Sequence, residues 1–215
     1  MITAARKAGR PVNPELIARR KEDILTVSMQ VFARCGYRNT DVQEIANLLV
    51  IGKGTIYRYF PTKKDLFFAA VDRGMHLFTE SIKASADTFQ EPLDRLAAVV
   101  VGYLRYFDTH PELVELIIQE RAEFRDRERP SYFVHREQNI DRYYDGFRLL
   151  VEKNIARDLA VPAMFDSLTN MLYGTMFTNF FNGRVKSCEA QAQEILDVYL
   201  NGILQERRTL PHFEA

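Results

Sequence analysis

No alternating strand pattern of any length occurs in these 215 residues. Apolar side chains recur instead at steps of three and four, the period that lays one face of an α-helix against a core. That periodicity restricts the chain to an all-α fold. The first such run opens at Pro14, carries Ile17, Ile24, Ser28, Val31 and Phe32, and stops at Gly36. It predicts a helix of about 20 residues with proline at its start and glycine at its end.

The next two helices are short. Thr40-Asp41-Val42-Gln43 reads as a capping box, and Val42, Ile45, Ala46 and Leu49 give the apolar stripe of a helix over roughly 41–48. After about four more residues, Lys53-Gly54-Thr55-Ile56-Tyr57-Arg58-Tyr59-Phe60 forms another short segment. Pro61 ends it, because the residue before a proline leaves the helical region. One longer helix and two short ones joined by a tight turn is the layout of a helix-turn-helix reading domain. Ile45, Leu48, Leu49, Ile56 and Phe60 are its expected core.

Thr62 with Asp65 opens a fourth helix, whose apolar positions Leu66, Phe67, Ala70, Val71, Leu77 and Phe78 carry it to about residue 85. Further helices are predicted at 92–108, 111–122, 131–158, 163–183 and 189–206, with Pro92, Pro111 and Pro162 near three of their starts. The charged stretch Arg121 to Arg129 before Pro130 reads as an exposed loop. The expected organisation is a flexible basic arm over 1–13, a three-helix reading head over 14–65 and a larger helical body over 66–215.

Charge separates head from body. The chain is neutral overall, but residues 1–65 hold 12 Lys and Arg against 6 Asp and Glu, while residues 66–215 hold 17 against 23. A basic segment on an otherwise acidic chain is where DNA phosphates are met. The plainer alternative is a solvated basic tail. Within the candidate recognition helix, Lys53 suits guanine O6 and N7, Thr55 a base edge or methyl, and Tyr57, Arg58 and Tyr59 phosphates. Tyr57 also suits a place in the core. Gly54 lets the backbone approach a groove closely. Lys63 and Lys64 stand beside helix N-terminal amides, a phosphate anchor, and Thr40 is placed likewise at the start of the second helix.

Other classes are disfavoured. At 47% hydrophobic and 27% charged the composition is that of an ordinary globular protein. No apolar run of about 18 residues and no signal-type N-terminus is present, so neither secretion nor membrane spanning is expected. Cys35 and Cys188 lie far apart, and His76, His110, His135 and His212 have no metal spacing. A reducing cytoplasm is expected, with no metal and no cofactor. There is neither a phosphate-binding glycine loop nor a nucleophile elbow, so no enzyme is expected.

The order Phe32-Ala33-x-x-Gly36-Tyr37-x-x-Thr40, then Ile45-Ala46, then Lys53 through Leu66, closely resembles the DNA-binding domain of tetracycline-repressor-like (TetR-type) regulators. The resemblance covers roughly residues 20–70 by motif; the rest matches in being helical and of suitable length. It implies a cytoplasmic homodimer, a repressor released from DNA by a small molecule held in the body. It further implies that the last two helices, about 163–206, build a four-helix interface with their counterparts, with Gly174 and Gly183 permitting close approach. Two heads then read a pseudo-palindromic operator with half-sites about 34–36 Å apart or a multiple of that. One departure stands out. Where the family places Ala-Gly-Val-Ser, this chain has Leu49-Val50-Ile51-Gly52, which puts a β-branched residue at a left-handed turn position. A helical ligand-binding or protein-interaction module with impaired DNA binding is therefore the rival reading.

For the body, Tyr103, Phe107, Phe124, Tyr143, Tyr144, Phe147, Tyr173 and Phe177 are candidates to line an apolar ligand pocket, with ordinary core packing as the alternative for each. Met164, Phe165, Leu168, Met171, Leu172, Phe177, Phe180 and Phe181, followed by Ile195, Leu196, Val198, Tyr199, Leu200 and Ile203, exceed what one helical face needs.

Overall fold

The computed structural model describes residues 13–201. The expected basic arm, apart from Asn13, and the expected helical residues 202–206 lie outside them. Among the described residues there are helices and connections only: α1 (Pro14–Cys35), α2 (Val42–Leu48), α3 (Lys53–Tyr59), α4 (Lys63–Asp87), α5 (Pro92–Thr109), α6 (Pro111–Glu123), α7 (Ser131–Gln138), α8 (Ile140–Glu152), α9 (Val161–Asn182) and α10 (Cys188–Asn201).

Local chemistry sets the first boundaries. The Asn13 side chain accepts from the amides of Glu15 (3.0 Å) and Leu16 (3.4 Å), with Pro14 at the first helical position, so α1 starts here. It ends at Gly36, whose φ of 78° and ψ of 153° lie in a region essentially reserved for glycine. At α4 the cap is reciprocal: Thr62 Oγ1 accepts from the Asp65 amide (3.0 Å), while Asp65 Oδ2 accepts from the Thr62 amide (3.0 Å).

The described residues divide into two compact units, 13–73 and 74–201, with the division inside α4. The boundary therefore falls later than the expected 65. Leu66, Phe67, Ala70 and Val71 are fully buried, and Phe67 meets Phe32 and Tyr37 edge to face with ring centroids 5.1 and 5.2 Å apart. These residues complete the head's core. Leu48, expected in that core, is 57% exposed, because Val42, Ile45 and Ala46 already supply the inward face of this seven-residue helix.

In the second unit α5 packs against α6, α8, α9 and α10. The helix expected over 131–158 is two helices with a break at Asn139, whose φ of −111° and ψ of 9° leave the helical region and whose side-chain amide donates to His135 O (2.8 Å). α8 then stops at Glu152 rather than 158. The Asn154 amide donates to Val151 O and the Ile155 amide to Leu150 O, both at 2.9 Å, with Asn154 at φ 55°. This is a Schellman end with asparagine in the left-handed position. The stretch expected as a loop at 121–129 is helical to Glu123 and anchored by the buried Glu120, whose Oε1 accepts from the Ser131 amide (2.9 Å) and from Arg127. An ion with such partners is tolerated inside a protein.

Candidate nucleic-acid interface and ligand cavity

The turn between α2 and α3 is built by a second Schellman end. The Val50 amide donates to Asn47 O (3.1 Å) and the Ile51 amide to Ala46 O (3.0 Å), with Val50 at φ 53°. The expected left-handed position is thus occupied by valine. Its side chain is 90% exposed, so no packing offsets a backbone cost of about 1–2 kcal/mol. The capping box expected at Thr40 is replaced by a simpler cap: Asp41 is the N-cap of α2 and accepts from the Gln43 amide at 2.8 Å. Thr40 is buried, and both its hydroxyl (2.8 Å) and its amide (3.1 Å) donate to Gly36 O.

α3 is anchored by Ile56, which is fully buried, and by Phe60 just beyond it. Residues two before and two after Ile56 lie on the opposite side of a helix that turns 100° per residue. These are Gly54 and Arg58, both exposed; Lys53, Thr55, Tyr57 and Tyr59 are half-buried at the flanks. A Cβ added at Gly54 meets nothing within 4 Å, so nothing in the head itself requires a glycine there. Arg58 Nη2 donates to Tyr59 Oη (3.2 Å) and its guanidinium stands 5.1 Å from that ring, an arrangement that holds the cation on the outer face.

The three lysines singled out in the sequence differ. Lys53 Nζ bonds Asp41 Oδ1 at 2.8 Å, and this contact, with the Gln43 amide second, holds the Asp41 carboxyl below the usual carboxylate range. Asp41 in turn raises the Lys53 ammonium above its ordinary value. Lys63 Nζ donates to Arg38 O (3.0 Å) and Thr40 O (3.1 Å) and lies 4.9 Å from the Tyr37 ring centroid. It fastens α4 to the loop between α1 and α2, whose Arg38 and Thr40 carbonyls it satisfies. Lys64 lies over the Phe68 ring at 5.8 Å.

The body contains a cavity of about 410 Å³. Met75, Phe78, Ile82 and Ala86 of α4 form one wall, and α5, α7, α8 and α9 supply the others. Of the candidates read from the sequence, Tyr103, Tyr143 and Phe147 line it; Phe107, Phe124, Tyr173 and Phe177 do not. Phe107 packs on Phe78 (4.8 Å) and Tyr103 (5.0 Å), Phe124 is buried at the end of α6, and Tyr173 lies between Tyr132 (4.7 Å) and Phe177 (4.9 Å). Tyr144 stands against Phe165 at 5.4 Å rather than on the cavity wall. Sequence reading missed Phe165 as a wall and Lys83, Arg95, Arg136 and Arg142 as its charges. The α4 stripe at positions 75, 78, 79, 82 and 86 was the available signal.

At the buried end Tyr103 Oη and Tyr132 Oη are 2.9 Å apart, and Tyr103 Oη donates to Met176 Sδ (3.8 Å). Burial pushes both phenols up, so both are neutral at physiological pH.

Among the described residues no helix is long and apolar enough to cross a membrane, and no group of three metal-ligating side chains occurs. Residues 24–70 match the family model described as bacterial regulatory proteins, tetR family. The chain is 20% identical over 183 residues to the HTH-type transcriptional regulator LuxR of Vibrio harveyi, covering 85% of this chain and 88% of that one. It is similar in fold to the fatty acid degradation regulator FadR from Bacillus halodurans, with a TM-score of 0.74 at 18% identity over 92% of this chain and 100% of that one. It is likewise similar to FadR from Bacillus subtilis in complex with stearoyl-CoA, with a TM-score of 0.65 at 20% identity over 85% and 99%.

Proposed function

Since residues 24–70 match the TetR-type family model, we propose that the chain is a ligand-responsive transcriptional repressor of that type that binds a pseudo-palindromic operator as a homodimer. The observation that carries this reading is α3, held by Ile56 with Gly54 and Arg58 outward, after a turn whose two capping hydrogen bonds are intact. The Val50 strain therefore falls on stability rather than on the presentation of α3, which weakens the rival reading of a disabled head.

Arg58, Tyr57 and Tyr59 are assigned to phosphates and Thr55 to a base edge. Gly54 gives the groove close access to the backbone. Lys53 meets DNA by exchanging the Asp41 carboxylate for a base or phosphate. Thr40 and Lys63 support the head from within. The homodimer interface is assigned to α9 and α10, where Phe181, Val198 and Leu200 are large apolar side chains left 67%, 45% and 48% exposed. Gly174, exposed and with open space at its Cβ position, suits close approach of a partner helix.

The effector site is the body cavity. Met75, Phe78 and Ile82 in its wall belong to the same helix as Leu66, Phe67 and Ala70 in the head's core. An effector that binds the free and operator-bound forms with different affinity shifts the population between them, and DNA must change effector affinity by the same factor. The relative in complex with stearoyl-CoA supports a small-molecule effector for this fold.

The test is a salt titration of the purified protein against a randomised duplex pool with sequencing of the bound fraction. Enrichment of a palindrome, with affinity falling steeply as salt rises, is the expected result. Weak binding without enrichment refutes the regulator reading.

A further inference from the structure

We infer that the body cavity takes an elongated apolar ligand with an anionic head group, its tail at the Tyr103–Tyr132 end and its head at Arg95 and Arg142. This rests on the reading of the cavity as the effector site.

The shape comes from α4. Its cavity-lining residues run from Met75 to Ala86, about 16 Å along the helix axis. Polarity changes along that length. At the Phe78 level the walls are buried, and the hydroxyls of Tyr103 and Tyr132 face each other at 2.9 Å with Met176 Sδ 3.8 Å from the Tyr103 oxygen. The buried Met75 and Phe78 side chains of this wall favour a hydrocarbon tail. At the other end Lys83, Arg142, Asp145 and Gly146 are exposed and form the mouth.

Charge selects the head group. Four cations, Lys83, Arg95, Arg136 and Arg142, line the cavity against one carboxylate, Asp145, which is itself bonded to Arg148 at 2.6 Å. Arg95 (3.7 Å) and Arg142 (3.4 Å) converge on the same Oδ1 of Asp87, and Arg136 pairs with Asp166. When Asp87, Asp166, Asp145 and Arg148 are all counted with the four, two positive charges remain. Two guanidiniums sharing one carboxylate oxygen keep further N–H groups for a second anion. A cationic head is opposed by the same charges, and the aromatic face it would seek at Phe165 already carries the Arg136 guanidinium 5.1 Å from the ring centroid.

Calorimetric titration of the full-length protein, below micellar concentrations and without DNA, compares one tail with several heads: dodecanoate, dodecanoyl-CoA, dodecanol and dodecyltrimethylammonium. Dodecanoate or dodecanoyl-CoA is expected to bind about tenfold or more tighter than dodecanol, and dodecyltrimethylammonium weakest. Whichever anion binds tighter tells a carboxylate head from a phosphate-bearing carrier. Arg95→Gln and Arg142→Gln, both at partly exposed positions, are expected to erase that preference while leaving dodecanol affinity unchanged. Equal or tighter binding of dodecanol, preference for the ammonium, or no binding of any amphiphile overturns the proposal. Operator release is read separately. Anion binding without release keeps the site and refutes the effector role, and release by a cationic or neutral compound does the reverse.

Discussion

The head and the body use their polar side chains in opposite ways. In the head, Thr40, Asp41, Lys53, Lys63 and Asp65 are committed to amides, carbonyls and one another, and the aromatic rings of Phe32, Tyr37 and Phe67 fill the space between helices. In the body, a comparable set of aromatics surrounds a cavity of about 410 Å³ whose lining carries Lys83, Arg95, Arg136 and Arg142. A surface that reads a fixed duplex gains from a rigid support. A sensor gains from space whose occupancy changes the free energy of one state more than another.

The largest effect that tests this contrast is in the head's core. Phe67→Ala is expected to cost about 3–5 kcal/mol in chemical denaturation and to abolish operator binding, because Phe67 is fully buried among rings. Leu168→Phe, which points bulk into the cavity wall, is expected to stay within about 1 kcal/mol of wild type, keep operator binding and lose effector binding. Equal costs would mean that the body is packed as tightly as the head. Next in size, Arg58→Ala is expected to weaken operator binding by about tenfold and lower the salt slope by about one, while Lys63→Ala lowers the melting temperature instead, since its ammonium serves Arg38 and Thr40 carbonyls. Val50→Gly is expected to stabilise the head by about 1 kcal/mol, against a few tenths for Asn154→Gly at the matching position of α8, because asparagine tolerates the left-handed conformation and valine does not. Smallest, Gly54→Ala is expected to raise stability by about 0.5–1 kcal/mol and to weaken operator binding, a pairing that separates a helix propensity from a contact outside the chain.

The same contrast explains what could be read before any coordinates. α1, α3 and the start of α4 follow from Pro14, Gly36, Pro61 and Thr62, signals that act within one turn of the residue concerned. The left-handed place of Val50 was legible only through the resemblance, which sets valine where the family has its turn glycine. The break at Asn139 was not, since asparagine marks a helix end only when tertiary packing favours one there. Nor could periodicity say which aromatics of the body face the cavity. Tyr103 and Phe107 sit four residues apart on one helix and share a face, yet only Tyr103 reaches the cavity, because what each meets depends on α4, α7 and α9.

Gly36 has a consequence for how mutational tolerance around this head is interpreted. No atom lies within 4 Å of where its Cβ would be, yet φ of 78° with ψ of 153° penalises every L side chain. A saturation library scored on repression would return Gly36 and Gly54 as equally intolerant, the first for the handedness of its backbone and the second for what approaches from outside. Intolerance in such a map is therefore no measure of proximity to DNA, and scoring the same library for soluble abundance would separate the two glycines.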